Sequence, residues 1–126
     1  MQEKNNNSET TLSLIIESIE DVKGLDVNLL DLRAIENTVF DFFVICTGTS
    51  NTHVNALVSS IQKGVSKKLS VKPLQVEGTQ NAEWVLMDYA DIVVHVFQKQ
   101  IREKYDIEGL WGDAELTVIP SSVTNL

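Results

Sequence analysis

The run Phe42-Phe43-Val44-Ile45-Cys46-Thr47 constrains this chain more than any other stretch. It has no charged position, it is rich in aromatic and β-branched residues, and its length suits a strand better than a helix. A strand that is apolar in both alternating registers has no side to show to water, so it has to be covered on both faces. Gly48-Thr49-Ser50-Asn51 then turns the chain. Behind it Val54, Leu57, Val58, Ile61, Val65 and Leu69 recur at i, i+3, i+4 and i+7, the stripe of a helix with one buried side. A central strand with a helix able to cover it is the nucleus of a layered α/β fold.

The rest of the chain fits that plan. A first helix is expected from near Thr10, whose side chain is suited to cap it. Leu12, Ile15, Ile16 and Ile19 give it one apolar stripe, and Lys23-Gly24 ends it, with Gly24 suited to the left-handed position. Strands are expected over 26–32, 40–47, 74–77, 84–89 and 92–97, and a short helix over 98–105. The two residues between the last strands, Ala90 and Asp91, suggest a hairpin, although they are not the preferred turn pair. The order α-β-β-α-β-β-β-α predicts a three-layer α/β sandwich with a mixed sheet: the hairpin is antiparallel and the long helix joins parallel strands. Residues 1–9 read as a flexible polar arm, 10–114 as one domain, and 115–126 as a polar tail. The length of 126 residues is enough for a single core.

Composition narrows the function classes. The formal net charge is −8, from 18 acidic and 10 basic residues. Contact with RNA or DNA draws on Lys and Arg to neutralise phosphates, so little direct nucleic-acid contact is expected and a basic protein is the more natural partner. Lys63, Lys67, Lys68 and Lys72 cluster, and they read as a solvated helix surface. No apolar run approaches the ~20 residues of a membrane span, and the start of the chain shows no signal or transit pattern, so a cytoplasmic protein is expected. The single cysteine, Cys46, lies inside the apolar run and reads as an inert buried thiol. With one cysteine and two distant histidines, His53 and His95, no metal site and no cofactor are expected.

Three constellations could carry chemistry. Gly48-Thr49-Ser50 between a strand and a helix is a possible anion cradle and is similar to the Gly-Ser turn of nucleotidyltransferases. Those enzymes need paired carboxylates close behind to hold Mg²⁺, and here Asn51, Thr52 and His53 follow, with no Asp-x-Asp anywhere. A turn with a helix cap is the better reading. His95, between Val94 and Val96, reads as structural or surface, and Asp88 and Asp91 as turn residues. The aromatic residues are more informative. On the strand from Trp84, alternation puts Val85 and Met87 on one face and Trp84, Leu86 and Asp88 on the other. From the residues alone, Trp84 and Trp111 read equally as core residues or as an exposed anchor patch, since Trp and Tyr dominate binding hot spots.

Several motifs in order resemble the Iojap-like ribosome silencing factor family over about residues 10–114. They are Gly24-Leu25-Asp26-Val27, Phe42 through Ser50, Glu77-Gly78, Glu83 through Phe97, Arg102 through Glu108, and Leu110-Trp111-Gly112-Asp113. The resemblance implies a nucleotidyltransferase-like α/β fold without the catalytic carboxylates, and a protein that is not an enzyme. It implies binding to ribosomal protein fourteen of the large subunit (uL-fourteen) on the face that meets the small subunit. The bound factor would block subunit joining and repress translation. Trp84 and Tyr105 would belong to the contact surface, with Leu86, Asp88, Leu110 and Trp111 as weaker members, and the free protein would be a homodimer. Ala90 departs from the family, where glycine is common. The competing reading from the residues is a nucleotide-binding enzyme of the nucleotidyltransferase type.

Overall fold

The computed structural model describes residues 2–121. The elements are α1 (Gln2–Asp21), β1 (Leu25–Asp31), β2 (Phe42–Gly48), α2 (Asn51–Leu69), β3 (Gln75–Glu77), β4 (Trp84–Asp88), β5 (Ile92–Gln98), α3 (Lys99–Tyr105), α4 (Ile107–Leu110) and β6 (Glu115–Val118). They build one six-stranded sheet in the order β3-β4-β5-β2-β1-β6. β2 and β5 pair in parallel and every other neighbour is antiparallel, so the sheet is mixed, as its hairpin and crossover require. Because β3 and β5 both oppose β4, β3 runs in the same sense as β2. The long helix α2 therefore links two strands of like direction that are not neighbours.

The apolar run became the buried centre of the sheet, and all seven residues of β2 are buried. Its alternate residues feed two separate cores. Phe42, Val44 and Cys46 join Val85, Met87, Val94 and Val96 beneath Leu12, Ile15 and Ile19 of α1 and Leu57, Ile61 and Val65 of α2. Phe43 and Ile45 join Leu30, Val93 and Phe97 on the opposite face, packed against Ile101 of α3, Ile107 of α4 and Trp111. Helices on both faces give the three layers.

Three local features differ from the sequence-based expectation. α1 starts at Gln2, well ahead of Thr10. Ser8, near its start, is buried, and its hydroxyl donates to the Asp91 carboxylate at 3.0 Å, which ties this turn of helix to the β4–β5 connection. A contact between residues so far apart in sequence leaves no local signature. At the other end of α1, Lys23 rather than Gly24 takes the left-handed conformation, with φ of 61°. Gly24 is needed for space: a Cβ there would lie 2.4 Å from Cγ2 of Ile19. Finally, residues 115–118 of the expected tail form β6, which pairs antiparallel with β1. All four are exposed, so the strand has no burial pattern to betray it. Residues 122–126 of that tail lie outside the described residues, as does Met1 of the expected arm.

Candidate functional site

The Gly48-Thr49-Ser50 turn has little to offer an anion. Ser50 caps α2 by accepting the His53 backbone N–H at 3.1 Å. The Thr49 backbone N–H donates to Nδ1 of His53 at 2.9 Å, and Nε2 of the same ring lies 2.7 Å from the Val22 carbonyl oxygen. With Nε2 carrying the proton, all these contacts are satisfied at once, and the imidazole pins the turn to the end of α1. The cavity beside the turn, of about 460 Å³, is lined by one carboxylate residue, Asp26. Among the described residues no three His, Cys, Asp or Glu side chains group as metal ligands. Burial pushes the Cys46 thiol up to about 12, against a smaller opposing pull from Arg102.

The aromatic side chains are organised. Strand alternation sends Val85 and Met87 into the first core and leaves Trp84 and Leu86 half-buried over the second. From Trp84 a ladder of rings crosses the sheet. The indole stacks on Phe97 at 4.9 Å between centroids and lies 5.0 Å from Tyr105. Its Nε1–H donates to Nδ1 of His95 at 3.2 Å. His95 stands edge-on to Phe43 at 4.8 Å, and Phe43 meets Trp111 edge-on at 5.4 Å. The hydrogen bond from Trp84 fixes the proton of neutral His95 on Nε2, a buried atom with no hydrogen-bond partner among the described residues. Burial holds the imidazole near a pKa of about 4, despite a smaller opposing pull from Glu108.

The six residues expected at the site divide accordingly. Trp84, Tyr105 and Trp111 are joined through His95 and Phe43. Tyr105 is 47% exposed and carries the Lys104 ammonium 5.6 Å from its ring centre. Leu86 pairs in register with His95 on one side and exposed Glu77 on the other. Asp88, four residues along β4 and so roughly 13 Å from Trp84, accepts the Ala90 backbone N–H at 2.8 Å. That bond closes a turn in which Ala90 holds φ at 74°. Leu110 is 77% exposed on α4, outside the ladder.

Two parts of the site were not anticipated. Phe43 and His95 are the inner rungs of the ladder, and sequence could have pointed to them only through the β4–β5 register, which sets His95 opposite Leu86. The second part is a polar clamp under α3 and α4. Arg102 donates from Nη1 to the Asp26 carbonyl at 2.7 Å and to the Thr47 hydroxyl at 2.8 Å, and its Nη2 is ion-paired with Glu108. Glu108 also accepts from the Asn28 amide at 3.0 Å. Burial raises the Glu108 carboxyl, but the bonds from Arg102 and Asn28 outweigh it and hold the group below its ordinary value.

A mixed sheet covered by two long helices on one face, and on the other by two short helices beside a ladder of aromatic rings, defines a three-layer α/β domain. A family model described as ribosomal silencing factor during starvation matches residues 5–125. The ribosomal silencing factor RsfS of Chromobacterium violaceum is 42% identical over 99 residues, 79% of this chain and 80% of that protein. The protein of the same name from Halalkalibacterium halodurans is 39% identical over 103 residues, 82% of this chain and 86% of its own length. A crystal structure of a Chromobacterium violaceum protein superposes with a TM-score of 0.77 at 36% identity, covering 91% of this chain and 95% of that one. The chain belongs to the ribosomal silencing factor family.

Proposed function

We propose that this protein silences ribosomes by occupying a surface of the large subunit and keeping the small subunit away, without catalysing a reaction. The observation that carries the reading is the aromatic face: Tyr105 stands exposed over half-buried Trp84, on a ladder that ends at Trp111. Rings held in place before binding lose little freedom when a partner covers them. Acidic Asp88 and Glu77 flank Leu86 on the paired strands β4 and β3. With a net charge of −8, that rim suits a basic partner, as a ribosomal protein is. The partner is ribosomal protein fourteen of the large subunit. The contact residues are Trp84, Leu86, Asp88, Tyr105, Leu110 and Trp111. The free protein is a cytoplasmic homodimer, and binding makes little direct contact with nucleic acid.

The test uses purified subunits. The protein should sediment with large subunits and not with small ones. Added before mixing, it should reduce the yield of joined ribosomes, and Tyr105→Ala should not. Binding to small subunits alone, or joining that proceeds normally with the large subunit saturated, would overturn the proposal. Incubated with Mg²⁺ and each nucleoside triphosphate, the protein should neither transfer nor hydrolyse nucleotide.

A further inference from the structure

One stretch of this acidic protein is purely basic. Between Asp41 and Glu77 the chain holds four lysines and no carboxylate residue, although the sequence has 18 Asp and Glu in all. The fold gathers three of these lysines around one groove. Lys63 and Lys67, one helical turn apart on α2, face Lys72, Pro73, Leu74 and Val76 at the entry to β3, and the space between is about 780 Å³. Leu74 is 74% exposed there, and Val71 is also exposed. β3 is the last strand of the sheet, so among the described residues no strand pairs with its outer backbone edge. The nearest carboxylate on the strand, Glu77, is engaged by the Gln75 amide.

We propose that this groove is a second protein-docking site, separate from the aromatic face, and that it receives an extended acidic segment carrying apolar side chains and carboxylates together on the side it turns toward α2. The segment lies along β3 as an added strand. Every second side chain of a strand points the same way. The set turned toward α2 meets both the apolar floor of Pro73, Leu74 and Val76 and the lysines across the groove, so apolar and acidic residues share that set. Main-chain bonds to an open edge with side chains in alternate pockets are a general means of peptide capture. The floor distinguishes this occupant from RNA, whose phosphates would need the lysines and gain nothing from apolar lining. It also distinguishes it from a second copy of this chain, since two-fold pairing of β3 with itself would bring the two lysine clusters together.

Selection from a random displayed peptide library tests this against the full-length protein and against a Lys67→Glu/Lys72→Glu variant. Both lysines lie outside the buried core, so the variant should fold with an unchanged melting temperature. Peptides that place Asp or Glu and apolar residues two positions apart should be enriched on the native protein and lost, at least tenfold, on the variant. A selected peptide should shift the backbone amide resonances of residues 71–77 and leave those of Tyr105 and Trp111 in place. Leu74→Asp, which keeps the lysines and spoils the floor, should also abolish binding. Failure to enrich acidic peptides, enrichment that survives in both variants, or oligouridylate binding that shifts the same amides more strongly would overturn the proposal. So would self-association through β3 in sedimentation.

Discussion

Trp84 lies half-buried because its ring serves two neighbours at once: its N–H reaches inward to His95 and its faces meet Phe97 and Tyr105. The two halves of the proposed contact should therefore respond differently. Tyr105→Ala removes an exposed ring, so the melting temperature should hold while affinity for the large subunit falls roughly 10- to 100-fold in a binding titration. Trp84→Ala should lose affinity and also about 1–3 kcal/mol of folding stability, because it opens the second core. An unchanged melting temperature for Trp84→Ala would mean that the stack contributes nothing to the fold. His95 gives the site a pH dependence. The unfolded chain takes up a proton at the ordinary imidazole value of 6.5, the folded one only near 4, so acidification through that window favours unfolding. The loss should reach about 2 kcal/mol by pH 5 and level off below pH 4. Urea titrations at pH 7 and pH 5 check it, and His95→Gln should remove most of the difference.

At the scale of elements, the short helices α3 and α4 form a layer that holds the contact face, yet α3 buries no residue fully and α4 only Ile107. What fixes them is the Arg102 clamp, which reaches β1 and β2 directly at Asp26 and Thr47 and, by way of Glu108, at Asn28. Arg102→Met keeps most of the packing and strands a half-buried carboxylate. It should cost about 2–4 kcal/mol, and hydrogen exchange over 99–111 should accelerate more than over β2. Uniform acceleration would show that the two helices do not depend on the clamp. The elements legible in the sequence are those with an apolar run, a periodic stripe or clear turns at their ends: β1 to β5, α2, α3 and the faces of β4. α1 was legible from Leu12 onward, where its stripe begins, and not in its polar first turns. β6 and α4 escaped notice because one is exposed on both sides and the other is a single turn. Trp84 and Tyr105 could be singled out as a pair; the rungs between Trp84 and Trp111 could not, since they depend on register.

Over the whole molecule, charge is distributed unevenly: the lysine-bearing stretch from Phe42 to Val76 has no carboxylate, and the negative charge lies elsewhere. If the aromatic face meets a basic protein rather than RNA, affinity for large subunits should fall only gently with salt. The slope of log affinity against log salt should be well short of the value near −5 or steeper expected for six or more phosphate contacts. A slope that steep would place RNA in the interface. The ladder has one more consequence, an optical one. The chain has two tryptophans, and both belong to the same row of rings, one at each end of the Phe43–His95 step. Ultraviolet emission from this protein therefore originates where a partner would settle. Excited selectively, it should change colour and intensity as that face is covered, giving a label-free clock for the encounter.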